Sequence, residues 1–272
     1  KSFYLKNQGW DVQVIEKPLW QFNQTDTYDC DKLFVPHKEQ HNWALPVGGP
    51  EVWYYMQSVY PWRFYVDTKG FAGGLSTYPW TVGEIDPNHT DFLRPYRNNL
   101  MAGNSKFDQP AMIRDGHQIF GRVPYALFTC QIPHDQTILY HSDVTVEEAL
   151  RSACEATKDL MTLIVKGHPV NRASMDELKK IVAQYPRAYW VDEFAIQDLI
   201  LQSQCVLTVN SGTGMEALAL GKPVITFGRC EYDCVTTHAG PDLKEQILSA
   251  PYNAKAVNAF YAKWEMATFD TR

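Results

Sequence analysis

From Tyr125 onward, short apolar runs alternate with longer amphipathic ones at a regular interval. YALFTCQ (125–131), MTLIVKG (161–167), AYWVDEF (188–194), CVLTVN (205–210) and PVITFG (223–228) read as strands buried on both faces. Between them TVEEALRSACEATKDL (145–160), SMDELKKIVAQYP (174–186), AIQDLILQS (195–203) and GMEALALG (214–221) have helical spacing. Thr145 with Glu148, and Ser174 with Glu177, carry the capping-box pattern that starts a helix. Five buried strands separated by helices predict a parallel sheet covered on both sides, a Rossmann-like domain. DLKEQILSA (242–250) and AKAVNAFYAKWEMATF (254–269) read as closing helices, the last presenting Val257, Phe260, Tyr261 and Trp264 along one stripe.

The first half is less periodic. WDVQVIEK (10–17), KLFVPHK (32–38) and RFYVDT (63–68) are strand candidates, EVWYYMQSV (51–59) is read as a helix, and DFLRPYRNNL (91–100) as a helix broken at Pro95. The division that follows is an N-terminal Rossmann-like domain over 1–122, a C-terminal one over 123–252 and a helix over 253–272 packing back across both, the fold class being α/β with two parallel sheets facing a cleft.

Composition narrows the function. A chain of 272 residues with 45% hydrophobic and 21% charged content can bury a sizeable core. The net charge of −6 opposes non-specific nucleic-acid binding, which needs an excess of Lys and Arg on one surface. No apolar run reaches bilayer-spanning length, so any membrane attachment is expected to be peripheral. Six scattered cysteines lack zinc-site spacing and read as free thiols of a reducing, cytoplasmic compartment. Aromatic residues, 13% of the chain, concentrate before residue 100, as core or as a stacking surface for a sugar.

The candidate chemistry gathers after successive strands, where open parallel sheets bind ligands. Gln131 and Asp135 follow the first C-terminal-domain strand, His168 the second, Asp192 and Glu193 the third, Ser211, Gly212, Thr213 and Gly214 the fourth, and Arg229, Glu231 and Tyr232 the fifth. The turn Asn210-Ser211-Gly212-Thr213-Gly214 opens a helix with small residues and two hydroxyls, a composition suited to an anion such as phosphate.

Three blocks, FTCQIPHDQTIL (128–139), LIVKGHP (163–169) and VLTVNSGTGMEALALGKPVITFGRCEY (206–232), resemble in order and spacing the bacterial capsule polysaccharide synthesis proteins, which include retaining β-Kdo glycosyltransferases; VDTKGFAGG (66–74) is a looser match. The resemblance implies a GT-B-like transferase taking a sugar from a CMP donor, typically CMP-Kdo, to a glycan or glycolipid acceptor, at or near the inner membrane. It implies that His168, with Ser211 and Thr213, grips the CMP phosphate, and that Asp135 of the Q-x-x-x-D block is a nucleophile forming a covalent glycosyl-enzyme. A monophosphate leaving group needs no metal, so neither metal nor cofactor is expected. Asp67 is the candidate base for the acceptor, with Glu84 and Asp86 as alternatives. Lys166, Arg229 and Arg122 are the cations available to the donor's own carboxylate, while Glu216 is read as a ribose ligand or a helix-start charge, and Gln131 and Tyr232 as donor-side residues. Other readings are a sialyl- or UDP-sugar-dependent GT-B enzyme and a non-catalytic glycan- or nucleotide-binding relative.

Overall fold

The computed structural model describes residues 9–16, 21, 25–82, 90–113, 119–121, 123–170 and 175–271. Glu84, Asp86, Arg122 and the Ser174 cap lie outside these. The chain divides into two compact units, one of residues 1–76 with 268–272 and one of 77–267.

The smaller unit carries a mixed four-stranded sheet. β1 (Lys32–Pro36) runs parallel to β2 (Glu51–Gln57), β2 pairs antiparallel with β3 (Arg63–Asp67), and the chain's end returns as a short strand (Phe269–Asp270) antiparallel to β3. This corrects two expectations. EVWYYMQ is a strand, because aromatic and β-branched side chains pack on a pleated sheet and no capping residue starts a helix there. Residues 10–16 are irregular, so the strand expected from WDVQVIEK does not form among the described residues. Val35, Trp43 and Tyr54 form the small core, and the Tyr54 hydroxyl donates to Trp43 O at 2.5 Å.

The larger unit opens with α1 (Leu93–Met101), which Pro95 does not break. Pro95 stands in the first turn, where a backbone N–H has no intrahelical acceptor and a proline costs nothing. The helix contacts the one that follows the fourth parallel strand and the last helix of the chain. That packing draws residues 77–122 into the larger unit and moves the boundary from 122 to Ser76.

The remainder alternates as the pattern predicts: β4 (Tyr125–Thr129), α2 (Gln136–His141), α3 (Val146–Thr157), β5 (Thr162–Lys166), α4 (Asp176–Val182), β6 (Ala188–Val191), α5 (Ile196–Gln202), β7 (Cys205–Thr208), α6 (Thr213–Ala219), β8 (Val224–Thr226), β9 (Thr237–His238), α7 (Leu243–Ser249) and α8 (Ala254–Met266), with Phe269–Asp270 as β10. The sheet order is β6-β5-β4-β7-β8-β9, all parallel, one short strand more than the sequence pattern gives. Every residue of β4 and β7 is buried, as a sheet covered on both faces requires. The Thr145–Glu148 capping box starts α3, whose Val146, Ala149, Leu150, Ala153 and Cys154 face the core with Leu163, Val165 and Leu207. Both α1 and α8 belong to the larger unit, where Tyr96 stacks within 5.1 Å of Tyr261 and 5.4 Å of Trp264.

Candidate active site

Strand register brings the candidates to one edge. Thr129 at the end of β4 lies opposite Lys166 of β5 and Thr208 of β7. Gln131, His168 and Asn210 each follow two residues later, spread across two strand spacings, about 10 Å.

Asp135 caps α2. Its Oδ1 accepts the Thr137 N–H at 2.8 Å and the Thr137 hydroxyl at 2.6 Å. Those two donors orient the carboxylate, and Oδ2 takes no hydrogen bond among the described residues. Behind it, Gln131 is buried and ties the ends of three elements together. Its amide Nε2 donates to Asn210 Oδ1 at 2.9 Å and to Thr137 Oγ1 at 3.4 Å, and its Oε1 accepts the Asn210 N–H at 2.9 Å. Asn210 Nδ2 in turn donates to Thr137 O at 2.8 Å. Gln131 therefore braces the turn that carries Asp135, and its amide is committed to that network.

His168 is partly buried, with its ring edge-on to Phe107 at 4.9 Å. Its Nδ1 accepts the Val170 N–H at 3.3 Å, which leaves Nε2 as the protonated, donating nitrogen. Burial lowers its pKa; the charge of Asp135 opposes that shift and Lys106 adds to it. Neutral at physiological pH, the ring offers one N–H donor.

Ser211 and Thr213 bond first to each other. Ser211 Oγ donates to Thr213 Oγ1 at 3.2 Å and accepts the Thr213 N–H at 3.2 Å, so the Thr213 hydroxyl proton is what the pair has to offer. Gly212 is the N-cap of α6 with ordinary negative φ. At Gly214, an added Cβ would lie 2.5 Å from the Tyr232 hydroxyl oxygen and 2.7 Å from its ring. Tyr232 is fully buried against that glycine and donates to Ser211 O, so it supports the turn from behind and does not line a ligand surface.

Three more candidates have other employment. The Lys166 ammonium is buried and donates to Asp192 O at 2.7 Å and Phe194 O at 2.9 Å, holding the loop after β6. Arg229 pairs with exposed Asp143 at 2.9 Å. Glu216 is buried and accepts the Ser105 hydroxyl at 2.7 Å; burial raises its pKa to about 7, against the Ser105 bond and the Lys106 charge. It anchors the 104–109 loop and does not reach for a ribose.

Asp67 belongs to the smaller unit. Its Oδ1 accepts the N–H groups of Lys69 at 2.7 Å, Gly70 at 3.2 Å and Ser76 at 3.0 Å, and its Oδ2 the Ser76 hydroxyl at 2.6 Å. Both oxygens organise the loop. The neighbouring glycines are not there for positive φ, which Ala72 adopts instead. A Cβ at Gly70 or Gly74 would fall within 2.6 Å of the buried Glu39 carboxylate, which accepts the Phe71 N–H at 3.1 Å.

Lys106 and Phe107 complete the edge, and sequence reading missed both. They lie in a polar, non-periodic stretch, NSKFDQP, that looks like any connecting loop. The loop is tied down at several points: Gln197 Nε2 donates to Asn104 O at 3.4 Å, Ser105 bonds Glu216, Phe107 meets His168, and the Ile196 N–H donates to Gln109 Oε1 at 3.2 Å. The Lys106 ammonium is within electrostatic reach of Asp135, Glu231 and Glu216. Burial lowers its pKa and those three carboxylates oppose the shift.

One Asp-x-Asp triplet, Asp29-Cys30-Asp31, stands directly before β1 in the smaller unit. Among the described residues no three His, Cys, Asp or Glu side chains are grouped to hold a metal ion, and no helix is long and apolar enough to cross a membrane.

This chain is 23% identical over 197 residues to the capsule polysaccharide export protein KpsS of Escherichia coli, a match covering 68% of this chain and 47% of that protein. It is 21% identical over 183 residues to the capsule polysaccharide modification protein LipB of Neisseria meningitidis serogroup A, covering 63% and 43%. The chain thus spans less than half the length of these curated relatives. In structure it matches the β-Kdo 2,7 transferase KpsC of Thermosulfurimonas dismutans with a TM-score of 0.55 at 17% identity, over 85% of this chain and 75% of that one. The likeness establishes an α/β, GT-B-like fold. The family model for capsule polysaccharide biosynthesis proteins matches residues 109–259, more than half of the sequence, a span that includes Asp135, His168 and the Ser211–Gly214 turn and begins just after Lys106 and Phe107, and the chain belongs to that family.

Proposed function

We propose that this chain is a glycosyltransferase module that moves Kdo or a related ulosonic acid from a CMP donor to a glycan acceptor, with retention, through a covalent intermediate on Asp135. The observation that carries the reading is the grouping of Asp135, His168 and Lys106 at the C-terminal ends of β4 and β5. One oriented carboxylate, one neutral N–H donor and one cation on a single sheet edge suit displacement at an anomeric carbon that carries a phosphate.

In this reading the Oδ2 of Asp135 bonds the anomeric carbon as the carbon–oxygen bond to the CMP phosphate breaks. CMP leaves with that electron pair on its phosphate oxygen, where the His168 Nε2–H and the Thr213 hydroxyl stabilise the growing charge. An acceptor hydroxyl oxygen then displaces Asp135 from the same carbon, its proton passes to a base, and the carboxylate is restored. Asp67 is not assigned as that base, since both its oxygens already accept hydrogen bonds from its own loop.

Asp135→Ala should abolish sugar transfer while leaving CMP affinity within about twofold of wild type. Unimpaired turnover in that variant would overturn the nucleophile, and an inverted anomeric configuration in the product, read by NMR, would overturn the covalent route.

A further inference from the structure

We propose that Lys106 is the residue that recognises the carboxylate of the donor sugar, which makes the 104–109 loop the element selecting acidic sugars over neutral ones. The proposal rests on the transferase reading and adds a residue and a selection rule to it.

In a 2-ulosonic acid the anomeric carbon itself bears the carboxylate. A carboxylate nucleophile attacking that carbon must approach a second carboxylate one bond away, and two such anions in a partly desolvated site repel strongly. The approach needs a cation between them. Of the three cations suggested by sequence, Arg122 lies outside the described residues, Lys166 donates to two backbone carbonyls of the loop after β6, and Arg229 pairs with Asp143. Lys106 is placed where the cation is needed. Its neighbours on either side are fixed, Ser105 to Glu216 at 2.7 Å and Phe107 to His168 at 4.9 Å, so its position does not depend on a freely moving loop. Its ammonium lies 5.8 Å from the Phe107 ring centre and within electrostatic reach of Asp135.

The other charged groups acting on it are Glu216 and Glu231, while Lys106 and Asp135 both act on His168. Glu216 is buried and bonded to Ser105, and Asp135 is bonded through Oδ1 to Thr137. An ammonium has three donors in rotatable arrangement and can be shared among several carboxylates, an incoming one included. The same ammonium would add nothing for a neutral hexose.

The test is calorimetric titration of the full chain with CMP and with CMP-Kdo, in wild type, Lys106→Met and Lys106→Arg, each checked for an unchanged melting temperature. Lys106→Met should weaken CMP-Kdo binding about tenfold to a hundredfold, the range of one charge-assisted hydrogen bond, and leave CMP binding within about twofold. Lys106→Arg should recover most of the loss, because charge matters more than shape at this contact. Equal weakening of both ligands would assign Lys106 to the phosphate and overturn the proposal, as would unchanged binding of both. If wild type binds CMP but gains nothing from the attached Kdo, the carboxylate contact is wrong while the nucleotide site stands. If wild type binds neither, the transferase reading itself falls, and Lys106 with it.

Discussion

Glu216 is a carboxylate kept from water inside the first turn of α6, where a helix start would ordinarily welcome a negative charge. Desolvation wins: its pKa rises from an ordinary carboxylate value to about 7 in the folded chain. The sign of the consequence follows from proton counting. Between about pH 4.5 and 7 the folded state holds a proton that the unfolded state has released, so stability falls as pH rises through this window and levels off above it. The loss is on the order of 3 kcal/mol for one buried acid shifted this far. Glu216→Gln keeps an acceptor for the Ser105 hydroxyl and removes the ionisation, so urea unfolding from pH 5 to pH 8 should show a flatter stability profile in the variant than in wild type. Parallel profiles would place the titration elsewhere. Glu216 was visible in the sequence as a conspicuous acid after a phosphate-type turn, but its partner was not, because Ser105 is 111 residues away. Asp135 and His168 were visible because each follows a strand by a fixed few residues, and strand position alone sends them to one edge.

The strand–turn–helix of β7 and α6 shows why an element can be legible while its small residues are misread. Glycines in the Ser-Gly-Thr-Gly turn suggest close approach by a ligand. Gly214 is approached instead by Tyr232, a buried ring from the loop after β8. Gly214→Ala gains about 1 kcal/mol of helix propensity, which favours the variant. Against that, the new Cβ sits 2.5–2.7 Å from a fully buried ring, which makes this an overpacking mutation costing about 1–3 kcal/mol. Steric cost should prevail, and thermal unfolding of Gly214→Ala should show a lower midpoint than wild type; an equal or higher one would mean that Tyr232 can move aside. The same contrast separates α3 from β2. Thr145 and Glu148 announce a helix by a local bond that both partners make, so that element was readable. EVWYYMQ has no such local mark, and its strand identity comes from pairing with β1 and β3, which periodicity does not report.

At the scale of the whole chain, the division at Ser76 separates two kinds of sheet: a small mixed one closed by the chain's last residues, and a six-stranded parallel one built from a nearly continuous segment. The repeat of apolar strand and helix made the second legible, since β4–β5, β5–β6 and β7–β8 are consecutive strands that pair side by side, the order reversing once between β6 and β7. The first depends on pairing Phe269–Asp270 with Arg63–Phe64, some 200 residues apart, which no local pattern announces. The misplaced boundary at 122 has the same origin, because α1 looks like part of an N-terminal domain until its packing partners are known. Its Arg97 donates to Ala219 O at 3.1 Å and its Tyr96 to Glu265 at 2.6 Å, both inside the larger unit. All the residues assigned to the CMP phosphate and the donor sugar, Asp135, His168, Thr213 and Lys106, lie within 77–267. A fragment of those residues retains α1, the loop at 104–109, the parallel sheet and α8, and loses only the mixed sheet. It should melt cooperatively and bind CMP within a few-fold of the full chain, because no assigned ligand contact is removed. Cooperative melting without CMP binding would move part of the nucleotide site into the first 76 residues; failure to fold would show that the larger unit draws its stability from the smaller one.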